Sequence, residues 1–120
     1  MGERRPERVA HLVQAELAAL LLRAGDPRLR EVTITGVRMS PDLRLARVYV
    51  RTLGDAAGQP AMLRGLARAA HFLRGEVGRA LGLRVTPELR FEYDTTPDTA
   101  RRLEELLRTG GRGTDEDENA

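Results

Sequence analysis

Apolar residues recur at three- and four-residue spacing at the start of the chain. Val9, Leu12, Val13, Leu17, Leu20 and Leu21 form one stripe of an amphipathic helix. Pro6 suits its first turn, where a missing N–H costs nothing, and Gly25-Asp26-Pro27 ends it. The period then changes. EVTITGVRM, residues 31–39, alternates as a strand with Val32 and Ile34 on one face, but after Gly36 the apolar parity passes to Val37 and Met39. A bulge at Gly36 restores a common face. Ser40-Pro41-Asp42 predicts a turn, because proline presets the backbone and its polar neighbours can bond to it. The next strand runs from Leu43 to Leu53, with Ala46, Val48 and Val50 on one face and Leu45, Arg47, Tyr49 and Arg51 on the other. So short a connection predicts an antiparallel hairpin.

Residues 54–60, GDAAGQP, read as a loop, and helical spacing resumes at Leu63, Leu66, Ala67, Ala70, Leu73, Val77 and Leu81. Arg64, Arg68, Arg74 and Arg79 fall between these positions. The pattern fits two short helices joined at a bend near Ala69-Ala70-His71, with guanidinium groups presented to phosphates. It equally fits one amphipathic helix with a solvated arginine face. Gly82 is a C-cap candidate, whereas Gly75 and Gly78 weaken the helix by about 1 kcal/mol each. Pro87 opens a third strand, Glu88 to Asp94, with Leu89, Phe91 and Tyr93 inward; Phe72 also reads as core. Thr96 is the N-cap candidate of a last helix, whose apolar edge is Leu103, Leu106 and Leu107. The two intervening helices allow a crossover that places the third strand parallel to a neighbour. The expected architecture is an α+β sandwich, a three-stranded sheet with helices on one face.

Charge changes this picture more than composition does. The net charge is +2, every basic residue is arginine, and Asp115 to Glu118 are four consecutive acids. Without that tail, 20 arginines stand against 14 acids, so residues 1–112 carry +6. Such a balance points to an anionic partner, nucleic acid first. With no cysteine there is no disulfide framework, thiol nucleophile or cysteine-based zinc site. No apolar run of about 18 residues spans a membrane. MGERRPER carries no secretory cleavage pattern, so the expected compartment is the cytoplasm.

Catalytic groupings are poor. His11 and His71 match no metal motif, and neither a phosphate-binding glycine loop nor a G-x-S-x-G elbow is present. Arg4, Arg5 and Arg8 cluster where cations oppose the helix macrodipole, a conflict expected when charge is kept for a partner. Tyr49, between Arg47 and Arg51, can stack on a base or simply be exposed. With few aromatics, RNA binding would rest on phosphates and shape more than on bases.

These residues also carry a resemblance. Val32-Thr33-Ile34-Thr35, Ser40-Pro41-Asp42-Leu43, Ala46-Arg47-Val48-Tyr49-Val50, Ala69-Ala70-His71-Phe72-Leu73-Arg74 and Leu83-Arg84-Val85-Thr86-Pro87-Glu88-Leu89-Arg90-Phe91, in this order, resemble the bacterial ribosome-binding factor A family over about residues 4–108. The resemblance implies a type II KH-like fold, α-β-β-α-α-β, with a helix-kink-helix and an extra C-terminal helix. The family's Ala-x-Gly kink signature here reads Ala69-Ala70-His71, and the histidine blocks any approach that needs bare backbone. It further implies a non-enzymatic factor, without cofactor, that binds the immature 30S subunit and the 5′ and 3′ end regions of its 16S rRNA. Such a factor promotes late maturation and rRNA end processing and supports growth in the cold.

The expected organisation is an N-terminal arm at 1–5, a KH-like RNA-binding domain at 6–108 and a disordered acidic tail at 109–120, in a monomer. Arg4, Arg5, Arg8, Arg64, Arg68, Arg74, Arg79, Arg84 and Arg90 are the candidate RNA-binding residues. The competing expectation is a protein-interaction module that docks on an acidic protein without touching RNA.

Overall fold

Ala46, Val48 and Val50 have no exposed surface, and the sheet is built outward from them. In a computed structural model of the chain, which describes residues 4–52 and 56–96, they lie on β2 (Leu45–Thr52). β2 is the middle strand between β1 (Val32–Met39) and β3 (Glu88–Tyr93). The β1–β2 pair is antiparallel and the β2–β3 pair parallel. Among the described residues the helical segments are α1 (Arg4–Leu22), α2 (Pro27–Arg30) and α3 (Gln59–Leu81), the last preceded by a 3₁₀ turn at Ala56–Gly58. α1 packs against β1, and α3 packs against β3 and α1. Between helices and sheet, Val13 and Leu17 of α1 meet Leu66 and Val77 of α3 over the β2 valines. The arrangement is the α+β, type II KH-like one, with a mixed three-stranded sheet.

The change of parity in β1 has the expected cause. Ile34 pairs with Val50 and Gly36 with Tyr49, so Thr35 is the extra residue of a bulge. Its hydroxyl donates to Oδ2 of Asp94 at 2.5 Å, and Oδ1 of Asp94 accepts the Thr96 N–H at 2.8 Å. Asp94 is the buried charged residue among those described. The bond therefore ties β1 to the residue after β3, across the middle strand. A hydrogen bond to a charged group contributes about 1.5–3 kcal/mol. Thr35→Val, similar in shape, is expected to cost about 2 kcal/mol, read from the urea midpoint; an unchanged midpoint would remove the bond from the fold's support.

Four features depart from the sequence reading. The stretch 59–81 does not divide into two tandem helices: α3 is one uninterrupted element of 23 residues, and Ala69, Ala70 and His71 lie inside it. Gly25-Asp26-Pro27 ends α1 but also starts α2, with Asp26 as N-cap accepting the Arg28 N–H at 3.0 Å. Leu12 is 49% and Phe72 62% exposed, so neither belongs to the core. Both sit about 100° round their helices from the centre of the buried stripe, since each residue turns the helix by about 100°. Gly82 caps α3 as expected, with φ 62°, and its N–H donates to the Arg79 carbonyl. The expected last helix, its Leu103, Leu106 and Leu107, and the acidic tail lie outside the described residues.

Candidate nucleic-acid interface

α3 turns Met62, Leu66, Leu73 and Val77 toward the core, which leaves its arginines outside. They do not share one face. Helical rotation places Arg68 and Arg79 within about 60° of Arg64, but Arg74 about 80° away on the opposite flank. Arg64 and Arg68 are exposed and make no ion pair or hydrogen bond with another described residue. Arg79 is also exposed and pairs with Glu76 one turn earlier. His71 and Phe72 lie beside this strip, both exposed. Phe72 was legible as a surface residue from its rotation relative to Leu66, Leu73 and Val77.

Arg74 has a different task. Its Nε donates to the carbonyls of Thr86 (3.3 Å) and Pro87 (3.1 Å), and its Nη2 donates to Thr86 at 2.9 Å. The guanidinium thus fastens α3 to the segment entering β3. A phosphate would compete with these carbonyls for it. The charge remains close to the surface, but the side chain's geometry is set by the fold.

The sheet face away from the helices carries charges of both signs. Arg47 Nη1 lies 2.9 Å from Glu92 Oε2, and Arg90 Nη2 lies 3.6 Å from Glu88 Oε2. Arg51 bonds to the Asp94 carbonyl and lies 4.8 Å from the centre of the Tyr93 ring, a cation–π arrangement. Tyr49 is half-buried among them. Arg47 and Arg51 are therefore partnered, which removes the open arginine-aromatic-arginine face that base stacking would need. Exposed pairs such as Arg79–Glu76 and Arg90–Glu88 contribute only about 0–1 kcal/mol, so either arginine can exchange its carboxylate for a phosphate at small cost.

At one end of the molecule one helix turn and two connections converge. The first turn of α1, the turn between β1 and β2, and the segment between α3 and β3 enclose a cleft of about 610 Å³. Arg5 and Arg84 line it, both exposed and neither bonded to another described residue. α1 begins at Arg4, so Arg4 and Arg5 belong to its first turn, and exposed Arg8 lies one turn further on. Asp42 also lines the cleft. Its carboxyl is held below the usual carboxylate range, first by the Ser40 hydroxyl (2.7 Å) and then by the Arg44 N–H (3.1 Å). It is ionised at neutral pH.

Among the described residues, no group of three histidine, cysteine or acidic side chains is placed to hold a metal, and no helix is long and apolar enough to cross a membrane. The fold and its uncompensated guanidinium groups define a basic KH-like domain.

Comparison with known proteins gives the family. The profile of ribosome-binding factor A matches residues 5–107, and the chain belongs to that family. A ribosome-binding factor A from Trichlorobacter lovleyi is 39% identical over 116 residues, covering 96% of this chain and 94% of that one. The crystal structure of ribosome-binding factor A from Thermus thermophilus superposes with a TM-score of 0.65 at 30% identity, covering 73% of this chain and 94% of that one. Thermus thermophilus ribosome-binding factor A coordinates fitted into a cryo-EM map of a 30S complex superpose with a TM-score of 0.57 at 33% identity, covering 70% and 92%.

Proposed function

We propose that this protein is an assembly factor that binds the immature 30S subunit through its 16S rRNA, promotes late maturation and rRNA end processing, and makes or breaks no bond itself. The single observation that carries this reading is the family match across residues 5–107, most of the described fold. The geometry agrees with it. Arg5, Arg8, Arg64 and Arg84 project from a rigid sheet-backed scaffold without internal partners among the described residues, and exposed Arg68 interacts through space with the Asp26 carboxylate. Arginines anchored at fixed backbone positions suit folded RNA, whose phosphates are also fixed, and the shared interaction depends on position more than on base identity. Arg79 and Arg90 would join by releasing their carboxylates. Arg74 would serve by holding the segment that bears Arg84, and Arg4 would extend the cluster at the start of α1. The expected site of action is the cytoplasm, as a monomer.

Gradient sedimentation tests the reading. The protein is expected to travel with free small subunits and not with complete ribosomes, and to be released when the RNA is digested. A complex that survives nuclease would favour docking on an acidic protein instead. The apolar groove flanked by Arg23 and Glu76, with exposed Phe72 at its rim, is where such contact would begin.

A further inference from the structure

We propose that the cleft between Arg5 and Arg84 binds one unpaired RNA nucleotide, with its phosphate between the two guanidinium groups, its base against Leu43 and Val9, and an exocyclic amino group donating to Asp42. The proposal rests on the RNA-binding reading and goes beyond it by naming a site and a preference among bases.

The cleft's volume of about 610 Å³ falls in the range of small-ligand sites, roughly 300–1,000 Å³. Its two cations come from different elements. Arg5 is on α1 and Arg84 follows α3, so tertiary structure and not local sequence brings them to one cavity. Its floor is apolar: Val9 is buried, and half-buried Leu43 packs against the core. Two cations beside an apolar floor match a group that is anionic at one end and flat and weakly polar at the other.

Leu43 supports this independently. It is the non-glycine residue with positive φ among those described, at 63°, a region that disfavours any side chain with a Cβ. Glycine would adopt this turn without strain but would leave the floor open. Backbone strain of this kind clusters at binding sites.

The walls are fixed before any ligand arrives. Ser40 Oγ accepts the N–H groups of Arg44 (3.2 Å) and Leu45 (3.0 Å), which locks the turn. On the other side, the Leu83 N–H donates to the Gly78 carbonyl at 3.1 Å, and Arg74 holds the carbonyls of Thr86 and Pro87. Arg84 and Val85 project between these anchors, and Val85 is 47% exposed.

Asp42 decides the orientation and the preference. Its Oδ1 is used within the turn, while Oδ2 makes no hydrogen bond to a described residue. An ionised carboxylate repels the phosphate toward the arginines and accepts from an amino group. Adenine, cytosine and guanine carry one and uracil does not. The same carboxylate disfavours an acidic peptide, whose side chains it repels.

The test uses the full-length protein with five-nucleotide oligo(A) and oligo(U) RNAs at 50 mM salt. Backbone amide resonances of residues 42–44 and 83–85 are expected to shift on addition of oligo(A), which binds about tenfold tighter than oligo(U). Val85→Glu, at an exposed position, is expected to lower oligo(A) affinity at least tenfold with an unchanged circular dichroism spectrum. Absence of oligonucleotide binding, shifts confined to the Arg64–Arg79 strip, equal affinity for both RNAs, or equal affinity for a polyglutamate peptide would each overturn the assignment. Co-sedimentation of the unaltered protein with small subunits reports on the ribosomal reading alone. If it persists while the oligonucleotide result is negative, only the cleft assignment falls.

Discussion

Raising the salt concentration from 50 to 200 mM is expected to weaken binding to immature small subunits by about 10³–10⁵-fold, equivalent to about 4–7 kcal/mol. Each phosphate neutralised by a guanidinium releases condensed counterions, and added salt reverses that gain. Among the described residues, Arg5, Arg8, Arg64, Arg68 and Arg84 make no hydrogen bond or ion pair that would compete with such contacts, while Arg79 and Arg90 are held by exposed ion pairs. Together with Arg4 they make six to ten contacts reasonable, the range that gives this slope. Equilibrium titration of labelled protein at several salt concentrations measures it. A slope near zero would mean that apolar docking, not phosphate contact, holds the complex.

Gly78→Val is expected to cost about 3 kcal/mol of stability. A Cβ at this buried position would lie 2.6 Å from Thr86 Oγ1 and 3.1 Å from its Cγ2. Thr86 cannot retreat freely, because Arg74 holds its carbonyl. Gly78→Ala meets the same contact with less bulk and recovers about 1 kcal/mol of helix propensity, so its net cost is smaller. Thr86→Ala removes the two nearest atoms and is expected to restore part of the loss in the Gly78→Val protein. Gly75 provides the contrast: a Cβ there would meet only the end of the Arg79 side chain, at 3.9 Å, so Gly75→Ala is expected to be neutral or stabilising. Urea midpoints of the variants decide the matter; a Gly78→Val midpoint equal to that of the unaltered protein would contradict the close approach.

Much of the fold follows from local pattern. The shift from Ile34 to Val37 announced the bulge, Gly82 the left-handed cap, and alternation in β2 the face that is buried. The errors have two physical origins. Phe72 reads as core, and Leu12 as part of the apolar stripe, because both are large and apolar, although their rotation about the helix points them away. Ala69-Ala70-His71 suggested a division of α3, yet the helix's hydrogen bonding continues through it. Gly75 and Gly78 looked alike in sequence, but only Gly78 has a neighbour's side chain where its Cβ would be.

The interface was less legible than the fold. Arginine numbers are visible in the sequence; their partners are not. Arg74 and Arg68 look equivalent along the chain, but one clamps two carbonyls brought by the return to β3 and the other faces solvent. Arg47 meets Glu92 only because β2 and β3 pair in parallel at that register. The meeting of Arg5, Asp42 and Arg84 likewise needs one helix turn and two connections to end at one place.

Exposed arginines set at fixed backbone positions on a sheet-backed scaffold are proposed to grip RNA. The most direct measurement is the salt dependence of small-subunit binding for the Arg64→Ala/Arg68→Ala double variant beside the unaltered protein. Loss of two phosphate contacts predicts a slope of log affinity against log salt shallower by about 1.4–1.8. The melting temperature is expected to change little, because neither side chain makes a hydrogen bond or ion pair to a described residue. An identical slope, with both proteins equally folded, would contradict it.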